Sequence, residues 1–197
     1  DGDTIPDACD DDIDGDGVPN ECDVDTAQDL VDPDAVYWNE NGHAYLFIER
    51  DDFWSWEEAN IFAADRGAHL ATVRSLEENN FVMSLIPDDQ GACPCPLIGG
   101  FQDLSAPDFS EPSGGWRWVT GEQWSYAQWG SDEPNNSTPN EDYVAIIQDI
   151  GWIDSTGLDR RSIIIEWSTN DCNSNGIIDS CELDGNDCNS NGVPDDC

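Results

Sequence analysis

The sequence predicts an α+β domain with a long, proline-bearing loop, bounded at each end by short, irregular, acid-rich repeats. Three observations predict it. Ser55-Trp56-Glu57-Glu58 and Ser75-Leu76-Glu77-Glu78 have the form of capping boxes, each opening a helix. Short β-like runs surround them at residues 43–49, 69–73, 116–119, 143–148 and 162–167. Acids at both ends recur at fixed spacing, interleaved with Gly and Asn.

A chain of 197 residues has room for one core of ordinary size plus appendages. Its net charge is −38, from 44 acids against six arginines, with no lysine. Such a chain repels nucleic-acid phosphates and anionic membrane surfaces, so neither is an expected partner. No apolar run approaches the ~18 residues of a membrane span, so direct insertion is not expected. Fourteen of the first 35 residues are acidic, and residues 171–197 contain no base. Acids confined to two segments point to cation ligands rather than to general solubility. Eight cysteines, most flanked by acids and Gly/Asn turns, indicate an oxidising compartment, hence a secreted or cell-surface protein. With no initiator Met and no signal peptide, the chain reads as a processed piece of such a protein.

Residues 1–35 form the first segment. Asp12, Asp14, Asp16, the Val18 carbonyl, Asn20 and Asp23 fall at the ligand positions of a Ca²⁺ loop, with Gly17 at its sharp turn. An earlier copy places Asp1, Asp3, Asp7 and Asp10 in the same register, with Thr4 where Gly belongs. Residues 169–197 repeat the pattern through Asp171, Asn173, Asn175, the Ile177 carbonyl, Asp179 and Glu182. A last copy uses Asp187, Asn189, Asn191, the Val193 carbonyl and Asp195, and stops at Cys197, one residue short of its final ligand. Segments this polar cannot bury enough apolar area to fold alone, so metal and disulfides must order them. They resemble thrombospondin type 3 or dockerin-like calcium repeats rather than EF-hands, since flanking amphipathic helices are missing.

Residues 36–168 form the central segment. The first helix runs from the Ser55 cap to Gly67, with Ala59, Phe62 and Ala63 on one face. The second carries Leu76, Phe81, Val82, Leu85 and Ile86 and is stopped by Pro87. Residues 121–137 are loop-like. Trp116, Trp118 and Trp152 alternate with polar residues and read as core, whereas Trp129, beside the loop, reads as exposed and able to stack on a sugar. Cys93 and Cys95 read as structural half-cystines. For the rest, Cys9–Cys22, Cys172–Cys181 and Cys188–Cys197 are one choice among the 105 connectivities open to eight cysteines. No nucleophile elbow, zinc-protease helix or P-loop is present, so no enzyme is expected.

Chemistry concentrates after Gly130. Glu133, Asn135 and Glu141 bracket Pro134, and Asp154 follows a short apolar strand. Carboxylate and amide oxygens from one loop and one strand suit a hard cation such as Ca²⁺. Here the sequence resembles the C-type lectins. Glu133-Pro134-Asn135, the acid at Glu141 and Trp152-x-Asp154 look like that family's calcium-and-sugar site, in its mannose-type form. Trp56-Glu57-Glu58-Ala59, Gly67-Ala68-His69-Leu70-Ala71, Leu97-Ile98-Gly99-Gly100 and Trp116-Arg117-Trp118-Val119 follow in family order. The resemblance implies a C-type lectin-like fold of two helices, short antiparallel sheets and a long calcium loop. It implies that Ca²⁺ is held by Glu133, Asn135, Glu141 and Asp154, with the same side chains and Trp129 meeting a sugar. It also implies a second Ca²⁺ position using Asp142 and Glu141, with Asn136 and Gln102-Asp103 nearby. Two departures stand out. Ile153 replaces the family's Asn, removing one ligand and one sugar contact, and Phe62, Tyr143 and Ile165 stand where members usually carry Cys.

Two readings follow. One is Ca²⁺-dependent recognition of a carbohydrate, mannose-type by its motif, in an adhesion role. The other is a structural subunit of a calcium-stabilised fibre or matrix, its incomplete end repeats meeting head to tail with copies of itself.

Overall fold

A computed structural model describes residues 32, 34–87, 95–158 and 160–168. The chain divides into two compact units, Asp1–Ala44 with Trp167–Cys197, and Tyr45–Glu166. Within the first unit, β1 (Val36–Trp38) ends in a turn in which the Gly42 N–H donates to the Trp38 carbonyl at 3.0 Å. The ligands expected at residues 3–23 and 171–195 lie outside the described residues, as does Cys93. Cys95 is buried and disulfide-bonded.

The second unit begins within β2 (His43–Trp54) and continues through α1 (Trp56–Ala64), β3 (His69–Leu70) and α2 (Leu76–Ser84). Five strands follow: β4 (Leu97–Gln102), β5 (Trp116–Trp118), β6 (Tyr143–Ile147), β7 (Gly151–Ser155) and β8 (Arg160–Trp167). Their order is β2-β8-β4-β6-β7, with β3 paired to β8 and β5 to β4. The β4–β8 pair is parallel, while β3–β8, β4–β5, β4–β6 and β6–β7 are antiparallel. Two helices against a mixed sheet make this the α+β, C-type lectin-like arrangement the sequence implies.

β4 is the pivot, because its two glycines let neighbours close in. A Cβ on Gly99 would lie 2.5 Å from the Leu70 carbonyl oxygen, and one on Gly100 would lie 2.5 Å from Val144 Cγ2. The Trp56 indole N–H crosses to the Ile98 carbonyl at 2.9 Å and fastens α1 to the same strand. Leu70, Leu97, Ile98, Val144, Ile146, Trp152 and Ile163–Ile165 fill the interior, all without measurable exposure. Phe62 packs edge-on to Trp54, Tyr143 stacks on Trp56 with centroids 5.0 Å apart, and Ile165 is fully buried. At all three family cysteine positions, apolar packing stands in.

The structure corrects the sequence reading at several elements. Strand β4 was absent from the expected runs, since Gly99-Gly100 lowers strand propensity until their close contacts are known. The Ser55 capping box is complete, with the Glu58 carboxylate returning to the Ser55 N–H at 3.0 Å. In α2, Ser75 caps, but the Glu78 carboxylate turns inward and receives the Arg74 N–H and, at 2.8 Å, the Tyr45 hydroxyl. Its inner face is therefore Glu78, Asn79 and Val82, while Leu76 is half exposed. Satisfied hydrogen bonds, not hydrophobicity, decide which side of this helix is buried.

Candidate metal centre

The centre is assembled on β7. Residues 128–130 run alongside it: the Trp152 N–H donates to the Gln128 carbonyl (2.7 Å) and the Gly130 N–H to the Trp152 carbonyl (2.8 Å). Asp132, in the left-handed region at φ 66°, then turns the loop over the strand. The Asp154 carboxylate, 4 % exposed, receives the backbone N–H of Asn135 at 3.0 Å and that of Asn136 at 2.6 Å. One carboxylate therefore pins the loop to the sheet. Glu133 accepts from Asn135 Nδ2 at 2.8 Å, which turns Asn135 Oδ1 away from it, without a protein partner among the described residues. Glu141 accepts from Thr138 Oγ1 at 2.6 Å and from Ser137 Oγ at 3.2 Å. Its own N–H reaches Asn136 Oδ1 at 3.4 Å.

Electrostatics set this cluster apart from an ordinary acidic loop. Burial pushes the Glu133 carboxyl up to about 7, helped by its hydrogen bond with Asp154 and by the charges of Asp154, Glu141 and Asp132. Burial also raises Asp142. Like charges held this close favour a proton or a cation among them. The donor set fits Ca²⁺: three carboxylates and an amide oxygen are the hard oxygen ligands that ion takes. Ile153, half-buried and paired with Ala145, presents no oxygen.

The expected residues fall into two groups. Glu133, Asn135 and Asp154 meet directly, and Glu141 acts on Glu133 through its charge. Of those expected at a second position, Gln102 and Asp103 are engaged elsewhere, whereas Asn136 and Glu141 stay together in the loop. Asp103 accepts from the Ser105 N–H and hydroxyl at 2.9 and 2.7 Å, and Gln102 Nε2 donates to the Gly114 carbonyl at 2.7 Å. Gln102 Oε1 is buried with no hydrogen-bond partner among the described residues. Trp129 is half-buried, its ring 4.9 Å from Trp116 and 6.0 Å from Trp152. Sequence reasoning missed a second acidic group, Glu78 and Glu166, both buried and sharing the Tyr45 hydroxyl at 2.8 and 3.2 Å. Glu166 ends an apolar run, Ile163-Ile164-Ile165, which was the available signal.

Comparison with known proteins places this geometry. The Lectin C-type domain family profile matches residues 54–176. C-type lectin domain family 4 member G of Mus musculus is 30 % identical over 120 residues, covering 61 % of this chain and 37 % of that protein. Ladderlectin of Oncorhynchus mykiss is 30 % identical over 102 residues, covering 52 % and 49 %. The chain thus spans between a third and a half of the length of these curated relatives. Human lithostathine superposes with a TM-score of 0.56 at 22 % identity, over 70 % of this chain and 99 % of that one.

Proposed function

Because the chain belongs to the Lectin C-type domain family, we propose that residues 36–168 form a Ca²⁺-dependent carbohydrate-binding module of a secreted or cell-surface protein. The observation that carries the reading is the Asp154 carboxylate, which draws Asn135 and Asn136 onto β7 and leaves Glu133 as a neighbouring acid held near neutrality. Glu133, Asn135, Glu141 and Asp154 hold the ion. When bound, it presents a positive charge that draws two neighbouring sugar hydroxyls, while the ligand side chains hydrogen-bond the same hydroxyls. The Glu-Pro-Asn order favours a mannose-type sugar. The disulfide at Cys95 supports an oxidising compartment. No helix among the described residues is long and apolar enough to cross a membrane. The function is one of binding, with no catalytic step.

Ile153 favours the second reading, a structural subunit whose terminal Ca²⁺ repeats join neighbouring copies. An aliphatic side chain can neither ligate the ion nor accept from a hydroxyl. Retention of the protein on immobilised mannose, abolished by EDTA, is the outcome expected of the binding module. Absence of retention, together with chelator-induced disassembly, rejects it in favour of the subunit. Ile153→Asn sharpens the test: retention gained only by the variant means that the natural chain has lost the sugar contact.

A further inference from the structure

Away from the metal centre, a cleft of about 330 Å³ opens between α2 and the turn joining β6 to β7. Asn79, Asn80 and Met83 line it from the helix, Gln148 and Ile150 from the turn, and Gln128 from the adjoining loop. We propose that this cleft is a second, calcium-independent subsite for a neutral, hydroxyl-rich ligand, one or two sugar rings in size.

Asn79 anchors the site. It is 2 % exposed, yet it lines the cleft. The Trp152 indole N–H, which can only donate, points at Asn79 Oδ1 from 2.8 Å and so fixes which end of the amide is oxygen. Asn79 Nδ2 then faces Met83, its only hydrogen-bond partner among the described residues being the thioether sulfur at 3.6 Å. An amide nitrogen carries two hydrogens, so one of them has no acceptor among the described residues. A buried donor left this way is an exception that calls for a partner.

The chemistry of the walls selects that partner. The side chains of Asn80 and Gln148 make no hydrogen bond among the described residues. Each carries a donor and an acceptor within one planar group, which matches hydroxyls that also do both. Among the described residues Asp149 is the only ionisable one lining the cleft, so none of them offers a fixed positive charge to a phosphate, sulfate or carboxylate. Leu76 and Ile150, 51 % and 58 % exposed, and Met83 give an aliphatic floor and rim for the C–H face of a ring. The volume stands at the small end of ligand pockets, enough for a small ligand and too little for a helix or folded partner.

The subsite lies at the opposite end of the β6–β7 hairpin from the metal centre. Tyr143 pairs with Ser155 beside the centre, and Ile147 with Gly151 beside the cleft, four residues or about 13 Å along the strand. A ligand here needs no cation.

The test uses the full chain in EDTA and reads saturation-transfer NMR with three probes: methyl mannoside, maltose and cellobiose. Transfer to at least one sugar without Ca²⁺, with shifts in the Asn80 and Gln148 side-chain amides, is the expected result. The double variant Asn80→Leu with Gln148→Leu, both near the surface, should weaken binding about tenfold, as expected for losing two neutral hydrogen bonds. EDTA-sensitive retention on immobilised mannose should stay unchanged in that variant. No transfer to any probe, or transfer indifferent to the double variant, overturns the proposal. So does a response to an uncharged acetylated peptide but to none of the sugars. Loss of the EDTA-sensitive retention in the natural chain counts only against the metal-centre reading, so the two fail separately.

Discussion

Glu133 is the side chain at which the proposed ligand set can be tested. Its folded pKa of about 7 lies above the ordinary value of 4.5, so the fold binds this proton more tightly than the unfolded chain does. The metal-free protein is then most stabilised by this group below about 4.5 and loses that contribution as pH rises through about 7. Melting followed by circular dichroism in EDTA should therefore fall between pH 5 and pH 8, measured as the difference from Glu133→Gln. Buried Glu78 is also raised and slopes the same way, which is why the difference matters. Saturating Ca²⁺ should flatten the Glu133 contribution; an unchanged slope would sink the ligand assignment. Tyr45→Phe removes the hydroxyl shared by Glu78 and Glu166 and should cost about 1–3 kcal/mol in urea unfolding. The side chains that meet at the candidate centre were legible in sequence because they are compressed into residues 133–154. Glu78 and Asn79 were not. Their partners, Tyr45 and Trp152, are 33 and 73 residues away, and no helical period encodes a hydrogen bond at that range.

Elements were legible wherever a local rule governs them. Ser55 caps α1 through a reciprocal pair three residues apart, so the helix start was readable. Ser55→Ala should lower stability by about 1 kcal/mol. β4 obeys no local rule. Its glycines make sense only beside the Leu70 carbonyl and Val144, which approach from other strands. Gly99→Ala drives a Cβ toward a backbone oxygen that no rotamer can move, and a loss of about 1–3 kcal/mol is expected in urea unfolding. Wild-type stability in that variant would mean that β4 and β3 do not pack this closely. β7 belongs to the same class. Read from sequence, Asp154 followed a strand; in the fold it sits inside one, because the loop amides of Asn135 and Asn136 replace the water that a strand carboxylate would otherwise need.

Across the whole molecule, 44 acids oppose six arginines, and the described guanidinium pairs are already committed: Arg50 to Asp52, Arg74 to Glu122, Arg117 to Asp108. Self-repulsion then opposes the compact state. In EDTA, the melting temperature should rise with NaCl as the screening length shrinks from about 30 Å at 0.01 M to about 3 Å at 1 M. A flat response would mean that the charge is carried where the fold does not feel it. The replacement of family cysteines by Phe62, Tyr143 and Ile165 has a further consequence. Between Pro96 and Asp171 the chain holds no cysteine, so no disulfide lies within or between β4 and β8. Dithiothreitol can act only on the cysteines of the two end segments and on Cys93 and Cys95, and the near-ultraviolet signal of the buried tryptophans should outlast it. The hairpin bearing Asp154 is thereby expected to keep its strand pairing under reducing and oxidising conditions alike.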